Sequence, residues 1–331
     1  MTDFWKTLKT PFFVLAPMED VTDTVFREVI LSVSSPEKLQ VLFTEFTSVD
    51  GLCHPKGREA VIHRLRVNQT ERELLKKSGS ALVAQIWGSN PELFFEASRF
   101  IADNFDFDGI DINMGCPADK IAKQGACSAL IGQNGLVSEI IQATREGSGL
   151  PVSVKTRTGI REHTTESWIS HLLGCNLSAI TLHARTKKMM SLKPAEWEQV
   201  KIAAGLRNSL APEVRIVGNG DVESYTQGLQ LLGETGADGV MVGRGVFASP
   251  WIFAGSAHDR PEAEKLNLLE KHIRLFDDTW KTTQNFNILK RFFKIYVNGF
   301  EGAASLRAKL MESRAAAEAL NIIEEFRSSR G

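Results

Sequence analysis

Two patterns of hydrophobic positions alternate along the chain: short apolar runs, and longer segments whose apolar residues recur at helical spacing. The short runs predict strands at 12–17, 41–45, 81–87, 109–113, 151–157, 179–183, 214–218 and 239–243. The longer segments predict helices at 23–31, 92–104, 135–147, 165–174, 196–205 and 223–235. Strands that alternate with helices in this way favour a parallel sheet closed into a (β/α)8 TIM barrel.

The pattern changes at two places. Residues 46–80 form a long polar segment, which makes the second strand-helix unit the least regular. After the eighth strand only helices are predicted, at 262–284, 286–299, 303–313 and 315–328. We therefore predict an α/β protein with a TIM barrel over residues 1–255 and a small, all-helical C-terminal domain over residues 256–331.

Composition is ordinary for a globular protein, with 43% hydrophobic and 24% charged residues among 331. No apolar run approaches the roughly 20 residues that span a bilayer, and no signal peptide is evident, so we expect a cytoplasmic protein with no membrane partner. The four cysteines show no metal-ligand spacing, so no metal is expected. Net charge is -1, but the chain from residue 260 onward carries 13 basic against 10 acidic residues, a local excess of +3.

Chemistry in a TIM barrel is concentrated where the strands end, at the C-terminal mouth. Polar or conformationally special residues occupy the end of nearly every predicted strand. They are Pro17, Met18, Gln85, Asn113, Cys116, Lys155, Arg157, His183, Arg185, Asn219, Gly220, Asp221, Gly243 and Arg244. We expect these residues to form one site.

The seventh and eighth strand ends favour a phosphate site. Gly220 and Gly243 let backbone N–H groups approach an anion, and the Arg244 guanidinium can donate two hydrogen bonds to it. Lys155 alternates with apolar residues and is expected to point into the mouth, where a cation would suit the N1–C2=O edge of a reduced flavin. His183 is as consistent with a core histidine as with a ligand.

Cys116 lies in the segment Gly109-Ile-Asp-Ile-Asn-Met-Gly-Cys-Pro117, immediately after a strand. Pro117 biases Cys116 toward an extended conformation, and Gly115 permits close backbone approach. The segment therefore favours a functional thiol at the mouth. A small buried hydrophobe at a strand end is the alternative, because free cysteine is commonly buried.

Taken in order, these motifs resemble the tRNA-dihydrouridine synthases. The resemblance rests on Ala16-Pro-Met-Glu-Asp-Val-Thr-Asp23, Gln85, Asn113-Met-Gly-Cys-Pro117, Val154-Lys-Thr-Arg157, His183-Ala-Arg185, Gly218-Asn-Gly-Asp221 and Gly243-Arg244. It covers residues 11–255 and continues more weakly through the tail. It implies an FMN-containing TIM barrel with a C-terminal helical domain, which uses NADPH to reduce selected uridines in folded tRNA.

The resemblance also implies roles for matching residues. FMN would be held by Pro17, Met18, Gln85, Lys155, His183, Asn219, Gly220, Asp221, Gly243 and Arg244, with Asn113 touching the flavin or the target uracil. Reduced FMN would deliver hydride from N5 to uracil C6, and Cys116 would protonate C5. An ordinary thiol has a pKa of about 8.5 and can serve as that acid. Cations at Lys155 and Arg157 would lower this pKa if they lay close to Cys116, and a lowered pKa favours a nucleophile.

RNA contacts are predicted in two places. Arg157 and Arg185 lie among the strand ends, and Lys290, Arg291 and Lys294 are interleaved with aromatic residues in the tail. Cations beside a packed apolar face suit phosphate contacts. A solvated helix face over a small core explains the tail pattern equally well.

Two other functions remain open from the sequence. One is a flavin-dependent dihydroorotate- or dihydropyrimidine-type dehydrogenase acting on a free pyrimidine, and the other is a non-catalytic RNA-binding protein. The residues do not determine which uridine is reduced, whether the RNA is tRNA or rRNA, or whether the reductant is NADPH or NADH. A D-loop uridine of tRNA and a monomeric protein are the expectations.

Overall fold

The computed structural model describes residues 3–255 and 260–330. Eight parallel strands pair in sequence order, and the last pairs with the first to close a barrel. The strands are β1 Phe12–Leu15, β2 Val41–Ser48, β3 Ala81–Trp87, β4 Gly109–Met114, β5 Val152–Arg157, β6 Ala179–His183, β7 Arg215–Asn219 and β8 Gly239–Val242. The predicted TIM barrel and its eight strands are confirmed.

The barrel is covered by helices, and short helices fill several connections. They are α1 Phe4–Thr7, α2 Thr24–Val33, α3 Val49–Cys53, α4 Pro55–Val61, α5 Gln69–Ser78, α6 Pro91–Asn104, α7 Asp119–Ala122, α8 Asn134–Ser148, α9 Thr165–Leu173, α10 Glu198–Leu210, α11 Tyr225–Thr235 and α12 Gly245–Ala248. Single 3-10 turns lie at Pro36–Lys38, Ile62–Leu65, Cys127–Leu130 and Ile252–Ala254.

Residues 46–80 are more regular than the sequence suggested. β2 continues to Ser48 through a register shift, and three helices and a 3-10 turn follow. Local caps explain these helices, because Ser48 accepts a hydrogen bond from the Gly51 amide and His54 accepts one from the Gly57 amide. The polar sequence of this region therefore encodes short capped helices.

The C-terminal region packs against α2 through a long helix. Its helices are α13 Glu262–Trp280, α14 Phe293–Tyr296, α15 Ala303–Glu312 and α16 Ala316–Ser328. The predicted helix over 286–299 is wrong: a 3-10 segment, Phe286–Phe292, precedes the short α14. Phe292, Phe293, Ile295 and Tyr296 are all buried on one side of this segment, which is the helical spacing that predicted a single helix. Residues 256–259 lie outside the described chain, so the boundary between 255 and 256 stays a prediction.

The hydrophobic core has two parts, one inside the barrel and one between strands and helices. Trp5 of α1 is fully buried against Phe12 and Phe43, where it closes the N-terminal end of the barrel. Arg215 fastens α1 by donating to the Trp5 carbonyl over 3.0 Å. Because Trp5 fills this end of the barrel, the polar residues at the strand ends lie around the mouth at the opposite end. Across residues 3–255 and 260–330, no helix is long and apolar enough to cross a membrane.

Candidate active site at the barrel mouth

Strand register places the predicted polar residues side by side. Asn113 pairs with Lys155, Arg157 with His183, and His183 with Asn219. A cavity of about 670 Å³ opens at this mouth, and nine predicted cofactor residues line it. They are Pro17, Met18, Lys155, His183, Asn219, Gly220, Asp221, Gly243 and Arg244. The structure thus brings together residues drawn from five strand ends.

Lys155 supplies a cation to this cavity. Its Nζ donates to Asn219 Oδ1 over 3.0 Å, and Asn219 Nδ2 in turn donates to the Met241 carbonyl over 2.8 Å. Burial, followed by the charge of Arg157, lowers the pKa of Lys155 to about 8. The ammonium therefore remains mostly charged at neutral pH and is held in place by Asn219.

His183 is neutral in this setting. Burial lowers its pKa, and the positive charges of Lys155 and the neighbouring arginines lower it further. Its Nε2 lies 3.0 Å from Arg185 Nη1. Because a guanidinium can only donate, Nε2 is the acceptor and the proton of the neutral ring lies on Nδ1. His183 can thus offer one N–H to a bound group.

The opposite end of the cavity has the features of a phosphate cradle. Within the described chain, the backbone N–H groups of Gly243 and Arg244 have no hydrogen-bond acceptor. The Arg244 side chain is 62% exposed and donates to Asp221 Oδ1 over 3.2 Å. Asp221 also accepts from Arg185 and from the Ala195 amide. Gly220 has a φ of 134°, which favours glycine, and a Cβ there would approach Ala195 Cβ to 2.7 Å.

Gln85 and Asn113 lie beneath the Cys116 loop and do not line the cavity wall. Asn113 Oδ1 accepts from the amides of Gly115 and Cys116, both over 3.0 Å. Asn113 Nδ2 donates to Gln85 Oε1 over 3.0 Å, and Gln85 Nε2 donates to Asp111 Oδ2 over 2.7 Å. This buried chain fixes the loop that carries the thiol. Direct contact of Gln85 and Asn113 with a cofactor stays a prediction.

Asp111 is a site residue that the sequence analysis missed. It is fully buried at the base of this chain, where Ser153 donates to it over 2.6 Å. Burial raises its pKa to about 6, against the opposing effect of hydrogen bonds from Ser153 and Gln85. The available signal was its position between Ile110 and Ile112, which directs a carboxylate into the barrel.

Cys116 is half-buried, and a second thiol lies beside it. A hydrogen bond from Cys127 lowers the pKa of Cys116 to about 6, assisted by the Ala118 amide and the charge of Arg157 and opposed by burial. The same hydrogen bond and burial raise the pKa of Cys127, which stays protonated. The pKa of Cys116 thus lies below the ordinary thiol value of about 8.5, as the sequence allowed if cations lay close to it. No sequence pattern links Cys127 to Cys116, because eleven positions separate them.

Comparison with known proteins assigns the chain to a family. The family model for dihydrouridine synthase (Dus) matches residues 14–329. A probable tRNA-dihydrouridine synthase of Staphylococcus aureus (strain COL) is 43% identical over 326 residues, covering 98% of this chain and 95% of that protein. The chain belongs to the dihydrouridine synthase family. The family resemblance predicted from the motifs is thus confirmed.

A second relative supports the same conclusion, and a solved structure shares the fold of this dihydrouridine synthase family member. Probable tRNA-dihydrouridine synthase 2 of Bacillus subtilis (strain 168) is 40% identical, over 98% of this chain and 96% of that protein. The histamine dehydrogenase from Rhizobium sp. 4-9 shares the barrel fold at a TM-score of 0.54 and 13% identity, over 80% of this chain and 48% of that one. The likeness to histamine dehydrogenase concerns the fold alone.

Arg157 and Arg185, predicted to bind RNA, have side chains in the protein interior. Only 4% of Arg157 and 2% of Arg185 is exposed. Arg157 donates to the carbonyls of Gly115, Thr186 and Met190 over 2.7, 3.1 and 3.0 Å. Arg185 donates to the Lys193 carbonyl over 2.6 Å. Both guanidiniums therefore fasten loops of the mouth, where Arg185 also lines the cavity, and contact of either one with RNA stays a prediction.

Two of the three predicted cations of the tail, Arg291 and Lys294, lie near the junction with the barrel. Lys290 is half-buried and donates to the Met311 carbonyl over 2.8 Å. Arg291 is exposed and donates to the Asp20 carbonyl, in the loop after β1, over 2.9 Å. Lys294 is exposed and shares a surface depression with Arg291 and Ala248, a residue that also lines the mouth cavity. Arg291 and Lys294 thus border the site, and their contact with RNA stays a prediction.

No group of three or more His, Cys, Asp or Glu side chains with metal-binding geometry occurs within residues 3–255 and 260–330. The mouth cavity is lined by the cations Lys155, Arg185 and Arg244, by Asn219 and glycines, and by the carboxylates Asp221 and Glu223. Asp221 is paired with both arginines, and this lining suits an anionic organic cofactor.

Proposed function

We propose that this chain is a tRNA-dihydrouridine synthase that uses FMN and NADPH to reduce the C5–C6 bond of selected D-loop uridines in folded tRNA. One observation carries the proposal: nine residues of the family motifs line a single cavity at the barrel mouth. The names of the relatives from Staphylococcus aureus and Bacillus subtilis support tRNA as the substrate. The full-length match of these relatives supports the same reaction.

The donor set of the cavity fits FMN. The free amides of Gly243 and Arg244, with the Arg244 guanidinium, suit its phosphate. Lys155 Nζ and His183 Nδ1–H are donors for the polar edge of the ring, and the Lys155 cation would offset negative charge there. When bound and reduced by NADPH, FMN would supply the hydride that uracil C6 accepts.

Cys116 would supply the proton for uracil C5 from its Sγ. Asn113 holds both amides of the Gly115–Cys116 segment, which limits movement of the thiol. After proton transfer, the Cys127 thiol and the Arg157 guanidinium would stabilise the Cys116 thiolate. A lower pKa makes Cys116 a stronger acid, but a smaller fraction carries the proton as the pH rises above about 6.

The RNA must present its uracil out of the stack, which costs a few kcal/mol. Arg291 and Lys294 border the mouth on the side of the C-terminal region and are placed to contact phosphates of the RNA body. Such contacts would offset the cost of unstacking the target base.

The proposal is tested by absorbance spectroscopy on the purified protein under anaerobic conditions. We expect an FMN spectrum that bleaches with NADPH and recovers when unmodified tRNA transcript is added, with dihydrouridine formed in the RNA. Cys116→Ala should keep the flavin and its reduction by NADPH but recover slowly with tRNA. Recovery with a free pyrimidine and not with tRNA would contradict the proposal, as would a protein that binds no FMN.

A further inference from the structure

A surface loop beside the thiol is held by the two buried arginines. We call residues 186–193 the rim loop. Arg157 donates to the carbonyls of Thr186 and Met190, and Arg185 donates to that of Lys193. The amide of Lys187 donates to the Gly159 carbonyl over 2.8 Å, and the next amide donates to Ile160 over 2.9 Å. Both ends and the middle of the rim loop are therefore fixed before any ligand arrives.

The rim loop adjoins both parts of the active site. Ser191 lines the mouth cavity that holds the predicted cofactor residues. Met190 lines a neighbouring depression of about 330 Å³ together with Pro117 and Asp119, which follow Cys116. Arg157 also donates to the carbonyl of Gly115, so the same guanidinium joins the rim loop to the thiol loop. A chain that reaches Cys116 from solvent on this side passes over the rim loop.

The side chains of the rim loop combine positive charge with exposed apolar surface. It contains three lysines and no acidic residue. Lys187 pairs with Asp119 over 3.2 Å, whereas Lys188 and Lys193 have no ion-pair partner anywhere in the described chain. Leu192 is 88% exposed and Met190 is 41% exposed. A fixed loop that displays both features beside a catalytic cavity is suited to bind a polyanion with apolar faces.

We propose that the rim loop is an RNA-binding surface for the nucleotides that flank the target uridine. This inference rests on the proposed function. Lys188 and Lys193 contact phosphates, because unpaired exposed cations displace the counterions of a nucleic-acid backbone. Leu192 and Met190 contact the face of a base adjacent to the target, which loses its stacking partner when the uracil leaves the helix. The buried Arg157 and Arg185 thus serve RNA binding indirectly, by fixing this loop.

The test compares the affinity of unmodified tRNA transcript for three variants over a range of salt concentrations. Lys188→Ala/Lys193→Ala should weaken binding about tenfold at low salt and reduce the slope of log K against log[salt] by about 1 to 2. Leu192→Ala should weaken binding about tenfold without changing that slope, because it removes an uncharged side chain whose apolar area a base would bury. The matched control is Lys76→Ala/Lys77→Ala, at the end of α5 next to the start of β3 and hence at the opposite end of the barrel. It should bind like the wild type.

Flavin content and the rate of reduction by NADPH serve as measures of correct folding, and both should be unchanged in all three variants. If the wild type binds tRNA and the rim-loop variants bind as tightly as the control variant, the inference is overturned. If the wild type itself binds no tRNA, the proposed function fails, which is a separate result.

Discussion

The buried thiol of Cys127 is the largest influence that lowers the pKa of Cys116. Cys127 is fully buried and has a φ of 53°, a left-handed conformation that is uncommon for a residue with a side chain. It begins a 3-10 turn, Cys127–Leu130, whose Ser128 amide donates to the Cys116 carbonyl over 3.4 Å. The turn that Cys127 begins therefore contacts Cys116 through its backbone, and the Cys127 thiol lowers the pKa of Cys116.

Removing this donor should raise the pKa of Cys116. We expect Cys127→Ala to move it from about 6 toward the ordinary thiol value of about 8.5. Cys127→Ser has the same backbone strain but keeps a hydroxyl donor, so its Cys116 pKa should lie between the other two. The measurement is the pH dependence of the iodoacetamide alkylation rate at Cys116, identified by peptide mass. Identical profiles for the wild type and both variants would show that Cys127 does not tune Cys116.

The pH dependence of turnover separates an acid from a nucleophile at Cys116. An acid must carry its proton, so the rate at which tRNA reoxidises the reduced enzyme should fall about tenfold per pH unit above about pH 6. A thiolate nucleophile would instead give a rate that rises up to about pH 6 and stays nearly constant above about pH 7. Single-turnover absorbance measurements between pH 5 and 9 distinguish the two. In Cys127→Ala the fall should begin at a higher pH, which ties the profile to Cys116.

Asn113 can be assigned to loop positioning or to cofactor contact by one pair of variants. Asn113→Ala removes the acceptor for the amides of Gly115 and Cys116. We expect it to slow reoxidation by tRNA about 10- to 100-fold because the thiol is no longer held in position. Asn113→Asp keeps that acceptor and should be closer to the wild type. FMN affinity, measured by fluorescence titration of the apoprotein, should change little in either; a large loss in Asn113→Ala would favour direct cofactor contact.

Lys155 provides a test of the cavity as the FMN site. Lys155→Met keeps the length of the side chain but removes the cation that contacts Asn219. A hydrogen bond to a charged group contributes about 1.5–3 kcal/mol, so FMN should bind roughly 10- to 100-fold more weakly. The reduction potential of the bound flavin should also fall, because the reduced form loses a compensating charge. Lys77→Met is the control, since Lys77 lies on α5 away from the mouth; equal FMN affinity in both variants would exclude Lys155 from the site.

The barrel and much of its mouth followed from the sequence for a definite reason. Each strand is a short apolar run, and in a closed parallel barrel the ends of all strands meet at one mouth. Residues such as Lys155, Asn219 and Arg244 are far apart in sequence, yet this topology alone brings them to one cavity. The sequence could therefore predict the membership of the site without predicting any distance within it.

Properties set by neighbours distant in sequence could not be predicted in the same way. The burial of Arg157 and Arg185 depends on carbonyls of the rim loop, whose path no periodicity reveals. The lowered pKa of Cys116 depends on Cys127, which follows a connection that contains α7. The segment 286–299 has helical spacing, but its first seven residues, Phe286–Phe292, form a 3-10 segment capped by Asn285, which the spacing of apolar residues does not distinguish from an α-helix.

The buried ion pair between Arg27 and Glu71 gives a prediction on stability that is independent of the chemistry. Arg27 Nε lies 2.6 Å from Glu71 Oε1, both side chains are fully buried, and the pair joins α2 to α5. Arg27 also donates to the Thr22 carbonyl over 2.7 Å, in the connection that follows Met18. The pair thus supports the first strand end of the mouth from behind.

Removing one partner of this pair leaves the other charge buried and unpaired, which typically costs 3–5 kcal/mol. We expect Arg27→Met and Glu71→Leu each to lower the free energy of unfolding by about that amount, measured by urea denaturation. The double variant should lose less than the sum of the two, because no uncompensated charge remains. Purely additive losses would show that the two side chains do not interact energetically. FMN affinity of the folded variants should stay within about twofold of the wild type, since neither side chain lines the mouth cavity.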